Sequence, residues 1–232
     1  MYGSQILFYL FFWTAVPPPA GSGWTTEACV LLTGFGTLNV AVQEIVWATG
    51  MVDQMVLKGD LMVVIVRPEN SYFGLVMRRM AAMALLPASM GMALIIYTLL
   101  QQSGGEPLPW FALSCSLLTC LMGSITFRAM LLGVNSLGFR FGRVTALKGL
   151  IFSSRDLARF PLDILPMGLV GLLSSLFPVM MMTNWPTLML QSYGRAEVWL
   201  TLGLSFVIMC FWVVFVAYLW TKGLRRYEGQ SL

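Results

Sequence analysis

The stretch Lys58-Gly-Asp-Leu-Met-Val-Val-Ile-Val-Arg-Pro-Glu-Asn70 sets Lys58, Asp60, Arg67 and Glu69 between two strongly apolar runs. Charges of both signs flanking a Gly turn and an Arg-Pro stop suit ionic docking rather than bond making. Val52 to Leu57 can continue a preceding helix, with Val52, Met55 and Val56 on one face at helical spacing. Lys58-Gly59-Asp60 then breaks that helix, and Arg67-Pro68 makes a second stop because proline disfavours helix in the residue before it. The expected product is a short amphipathic element with rigid ends. A bland reading also fits, in which these charges only mark a loop on one side of a membrane.

Bond-making chemistry finds no other foothold. The chain has no histidine and no Gly-Lys dipeptide, so a phosphate-cradling GxxxxGK[ST] loop and an HExxH zinc helix are both excluded. Its carboxylates are scattered, and no cofactor or metal motif is present. Cys29, Cys115, Cys120 and Cys210 lie inside apolar runs with neither zinc nor disulfide spacing, and read as small core residues. Glu44 has two readings: a charge at the headgroup level, or a substrate or proton site within a span. Arg128, low in its apolar run, reads as snorkelling to the interface.

The elements that must position these residues follow from composition. The 232 residues are 58% hydrophobic and 10% charged, against about 25% charged in a soluble domain. Runs of about 20 residues match the roughly 30 Å of a bilayer core, so the fold class is an all-α polytopic membrane protein. Six apolar segments are expected, at 5–16, 28–51, 80–100, 110–134, 161–182 and 198–220, in a single domain over 1–232. The first is short for a span, as if truncated or begun upstream. Pro87 is expected to kink the third. Ala84, Ala88 and Gly91, Ser89 and Ala93, and Gly168 and Gly171 offer close helix approach.

Basic residues set the orientation. With six spans, thirteen fall on one side: Lys58, Arg67, Arg78, Arg79, Arg128, Arg140, Arg143, Lys148, Arg155, Arg159, Lys222, Arg225 and Arg226. Arg195 alone falls on the other. The positive-inside rule therefore makes 52–69 and both termini cytoplasmic. Trp24, Trp110, Trp185 and Tyr193 are expected at the outer boundary, with Trp220 and Tyr227 at the inner one. Positive charge placed this way marks topology, and no nucleic-acid partner is implied.

"VLKGDLMVVIVRP" resembles the stretch between the second and third spans of type-2 ABC exporter permeases, in particular the six-span ABC-2 family transporter proteins. Gly23-Trp24-Thr25 is similar to that family's motif before span two, and Phe139-Arg140-Phe141-Gly142 to an element after span four. Phe160-Pro161-Leu162-Asp163-Ile164 resembles its entry to span five. Asn184-Trp185-Pro186 falls where an aromatic-Pro turn follows that span, and Gly223-Leu224-Arg225-Arg226-Tyr227 resembles the closing signature. Where the family has a second acid after the island leucine, this chain has Met62. It also lacks the amphipathic helix that usually precedes the first span.

The resemblance implies a permease subunit in the plasma (inner) membrane, non-catalytic, without cofactors, exporting an unidentified cargo; the 17 methionines are compatible with a hydrophobic or amphipathic one and equally with ordinary packing. Lys58, Gly59, Asp60, Leu61, Arg67 and Pro68, within the coupling region 52–69, would dock in a separate cytoplasmic ABC ATPase subunit. A second permease half, a copy or a related chain, and membrane lipid would be the other partners. Trp185 and Pro186, with the short run to Tyr193, would form a gate. The alternative is a non-transport scaffold or assembly protein whose basic cytoplasmic face binds partners or anionic lipid. A secondary transporter fits less well, since no buried acidic relay or internal repeat is evident.

Overall fold

The computed structural model describes residues 2–18, 22–45, 84–141, 144–162, 165–175 and 177–228. Every regular element among them is helical: α1 (Tyr2–Ala15), α2 (Thr26–Ile45), α3 (Leu85–Ser103), α4 (Trp110–Ser136), α5 (Gly138–Phe141), α6 (Thr145–Leu157) and α7 (Met167–Ser175), then a π-helical turn (Met180–Asn184), α8 (Trp185–Gln191) and α9 (Arg195–Glu228). By length and composition, Leu85–Ser103, Trp110–Ser136 and Arg195–Arg225 are each able to cross a membrane.

Local signals explain where the helices start and stop. Gly23 takes a left-handed φ of 74° and turns the chain into α2. Thr25 Oγ1 then accepts the Ala28 N–H at 3.2 Å, satisfying a first-turn donor. Helix α3 ends at Gly104 (φ 56°) and Gly105 (φ 101°), and α4 restarts behind Pro109. At α9, Glu197 reaches back to accept the Gly194 N–H at 2.8 Å, one half of a capping box. Pro87 lies in the first turn of described α3, where a missing N–H breaks no helical hydrogen bond.

Helix α4 is the central post. It runs parallel to α2 on one side, with Phe35, Asn39 and Gln43 facing Cys120, Ser124 and Arg128. On the other side it runs parallel to α9. Cys115 clusters there with Val198, and Phe139, just past α4, stacks edge-on against Trp220 at 5.6 Å. Helix α3 returns antiparallel along α2, and the two backbones cross at Gly34 and Gly91. A Cβ on Gly91 would stand 2.8 Å from Leu38 N and 2.9 Å from Gly34 O, so only glycine permits this approach. Gly123 plays the same part on α4, where a Cβ would meet the Met181 and Met182 backbone at 2.8–2.9 Å. At Gly168 and Gly171 the close approach expected is not seen among the described residues, where a Cβ added at either would meet nothing within 4 Å.

The apolar run 161–182 is not one continuous helix. From the basic end of α4, α6 climbs back antiparallel, placing Phe152 against Phe127 (6.1 Å) and Ala158 beside Thr183. Helix α7 then departs, and its nine residues cover about 13 Å, too short for a bilayer. The chain returns to where α7 left: Asn184 Oδ1 accepts the Leu162 N–H at 2.9 Å, and Asn184 Nδ2 donates to Phe160 O at 3.3 Å. Helix α8 completes the distance to the turn before α9. Pro161, Pro166 and Pro178 supply the breaks, since each lacks the N–H a continuous helix would use.

Candidate functional site

Between α2, α4 and α6 lies a buried polar ladder. Asn39 and Gln43 are four residues apart on α2, as Ser124 and Arg128 are on α4, so each pair occupies one helix face. Arg155 NH1 on α6 contacts Gln43 Oε1 at 3.4 Å, and Gln43 Nε2 donates to Asn39 Oδ1. Asn39 Nδ2 donates to Ser124 Oγ at 2.7 Å, which donates to Cys120 O at 2.9 Å. Each group passes its hydrogen onward until a backbone carbonyl ends the series. Flipping the Gln43 amide would aim its NH2 at the Arg155 guanidinium, so the direction is fixed. Counting about 1.5 Å per residue from the helix starts puts Asn39 and Ser124 about 20 Å along their helices.

Arg128 closes the ladder by donating to the backbone carbonyl of Gln43. It is 8% exposed, and its Nε has no hydrogen-bond partner. This overturns the snorkelling expected from sequence: the side chain turns inward to α2 rather than outward to the headgroups. Glu44, half-buried at the end of described α2, and Arg155 both act on it electrostatically. A charge buried in a span costs about 2.5–3.5 kcal/mol on insertion scales, while interhelical hydrogen bonds return about 0.6 kcal/mol each. The ladder therefore holds α2, α4 and α6 in register without adding much to net stability.

A second polar joint ties the π-helical turn to the linker after α6. Thr183 Oγ1 donates to Ala158 O, and Asn184 Nδ2 also reaches Thr183 Oγ1 at 3.2 Å. Because Thr183 and Asn184 are fully buried, these bonds satisfy groups that would otherwise be stranded away from water.

The residues expected from sequence are distributed as follows. Lys58, Gly59, Asp60, Leu61, Arg67 and Pro68 lie outside the described residues, as does the rest of 52–69. Trp185 and Pro186 begin α8 beside the Thr183–Asn184 joint. Trp185 is half-buried against the cluster of Phe127, Met130 and Leu131, a whole α8 length from the turn at 192–194, and so away from the boundary belt expected for it. Cys29, Cys115 and Cys120 are buried and Cys210 partly so, as small core residues should be. Sequence reasoning missed Asn39, Gln43, Ser124 and Arg155. The available signal was polar residues at i, i+4 on two apolar runs.

Comparison with curated proteins and with solved structures gives no match. A profile of the family described as ABC-2 family transporter protein matches residues 1–231. The match spans nearly the whole chain, and an all-helical bundle with three apolar helices of spanning length accords with it. This chain belongs to the ABC-2 family transporter proteins, the membrane-embedded components of ABC transporters.

Proposed function

We propose that this chain is half of the conduit of an exporter, crossing the plasma (inner) membrane six times with both termini cytoplasmic. A second permease half, a copy or a related chain, completes the pathway, and cytoplasmic ABC ATPase subunits supply the energy. The observation that carries this reading is the family match over residues 1–231. The basic residues of the loops and tail, among them Lys58, Arg67, Arg78, Arg79, Lys222, Arg225 and Arg226, against Arg195 alone on the other side, support this orientation.

Residues 52–69 dock on the ATPase through Lys58, Gly59, Asp60, Leu61, Arg67 and Pro68. When the ATPases close on ATP, the displacement enters α2 at its C-terminal end. Gln43 passes it to Arg128 on α4 and Arg155 on α6, which lead to the jointed segment of α7, the π-helical turn and α8. Trp185 and Pro186, at the head of α8, move with that joint and gate the path. Short turns at 104–109 and 192–194 leave no room for a large external domain to receive the cargo. An apolar or amphipathic cargo suits the many methionines and aromatic residues of the chain.

Charge reversal tests the docking. Asp60→Lys with Arg67→Glu is expected to reduce co-purification of the ATPase subunit at least tenfold, with the yield of folded permease unchanged, since like charges across an interface cost several kcal/mol. Undiminished co-purification would remove the docking role from 52–69 and favour a scaffold.

A further inference from the structure

A cleft separate from the polar ladder opens between α1 and α2. Its enclosed volume is about 20 Å³, room for one water-sized group such as a single oxyanion oxygen, and its walls include Gln5 and Tyr9 of α1, Thr33, Thr37 and Val40 of α2, and Arg159. Arg159 follows α6 and reaches the cleft beside Gly36, whose Cβ position would lie 4.0 Å from Arg159 Cγ. Gly36 is ten residues into α2, or about 15 Å, which is half of a 30 Å hydrocarbon core.

Among the described residues the charge there is poorly matched. Arg159 NH1 donates to Tyr9 Oη at 3.3 Å, and its guanidinium lies 5.1 Å from the centre of the Tyr9 ring. Both partners are neutral, and no carboxylate among the described residues lies within ion-pairing distance of Arg159. A cation at this depth calls for an anion or for water. The hydrogen-bonding inventory is equally one-sided. Thr33 and Thr37 spend their hydroxyl hydrogens on Cys29 O (2.9 Å) and Thr33 O (2.8 Å). The donors left for a guest are the other guanidinium N–H groups, the Tyr9 O–H and the Gln5 amide. Beside them the buried side chains of Ile6 and Val40 give the cleft an apolar wall.

We infer that this cleft binds the oxyanion head of an amphiphile, a phosphate or carboxylate, with its tail leaving past Ile6 and Val40 into the apolar surroundings. Arg159 neutralises the head, Tyr9 and Gln5 orient it, and the Thr33 and Thr37 oxygens can accept from a neighbouring hydroxyl. The inference rests on the proposed export role only in calling the guest cargo. Binding requires neither ATP nor an ATPase, so its outcome and that of the docking test are read separately.

The test uses the purified full chain in neutral detergent, titrated with dioleoyl phosphatidate, oleate, dioleoyl phosphatidylcholine or inorganic phosphate, and read by native mass spectrometry and thermal shift. Phosphatidate and oleate are expected to bind and raise Tm, while phosphatidylcholine and inorganic phosphate do not. Arg159→Gln should weaken that binding at least tenfold, and Tyr9→Phe, which keeps the ring and removes the hydroxyl, several-fold. If Arg159→Gln fails to fold, Tyr9→Phe and Gln5→Leu carry the test. Equal binding of phosphatidylcholine, binding of inorganic phosphate alone, or undiminished binding by the folded variants would each overturn the inference.

Discussion

Replacing Gly91 with leucine is expected to part α2 from α3 and lower the yield of folded protein at least tenfold. The contact is backbone against backbone: the nearest atoms to a Cβ at this site are Leu38 N, Gly34 O and Leu38 Cα, at 2.8, 2.9 and 3.3 Å. None belongs to a flexible side chain, so the strain cannot be relieved by a rotamer change. Overpacking of this kind costs about 1–3 kcal/mol, and a leucine adds three more carbons to the smallest possible clash. Even Gly91→Ala should destabilise, although alanine gains about 1 kcal/mol over glycine in intrinsic helix propensity. Gly203 provides the control. It lies on α9 with nothing within 4 Å of its Cβ position, so Gly203→Ala should leave Tm unchanged or raise it. Thermal unfolding of the two alanine variants in the same detergent checks the contact. Equal Tm values would mean that α2 and α3 do not cross at Gly91.

Arg128→Met should separate stability from function. Methionine fills a similar volume and removes a buried charge whose Nε has no partner. Replacing buried ionic groups with apolar ones is commonly neutral or stabilising by about 1–4 kcal/mol. The expected result is an unchanged or higher Tm. ATP-driven transport, by contrast, should fall at least tenfold, because the link from the C-terminal end of α2 to α4 is lost. Arg128→Lys, a compact charge without the planar fork, should recover only part of the activity. Transport at the parent rate by a folded Arg128→Met variant would reduce the ladder to packing. A variant that fails to fold would show instead that Arg128 supports the fold itself.

These two sites show what the sequence makes legible. A bilayer demands long apolar runs, so the helices over Leu85–Ser103, Trp110–Ser136 and Arg195–Arg225 are visible by length alone. The run 161–182 has the same apolar character, yet it is broken. A jointed run of short helices and a single spanning helix can share the same apolar composition, so hydropathy cannot separate them. The distinguishing marks were Pro161, Pro166 and Pro178, together with Asn184, whose side chain takes over the hydrogen bonds of Phe160 and Leu162. Small-residue patterns were legible only in part. Gly91 sits where a Cβ would strike the α2 backbone, while a Cβ at Gly168 or Gly171 would meet nothing within 4 Å, because the pattern permits close approach without requiring it. Arg128 looked interfacial because depth was counted along a single helix. Its true partner, the Gln43 carbonyl, lies 85 residues away and becomes visible only once α2 and α4 pair. Trp185 misled for a related reason, since an aromatic before proline suits both a membrane boundary and a buried helix start.

The most direct test of the account is labelling of Asp60→Cys with a membrane-impermeant maleimide. Three of the native cysteines, Cys29, Cys115 and Cys120, are buried and should contribute little background. The account predicts labelling in inside-out vesicles but not in intact cells, with protection of the thiol when the ATPase subunit is bound. Labelling in intact cells would contradict it, for residue 60 would then face the side where no ATP is hydrolysed.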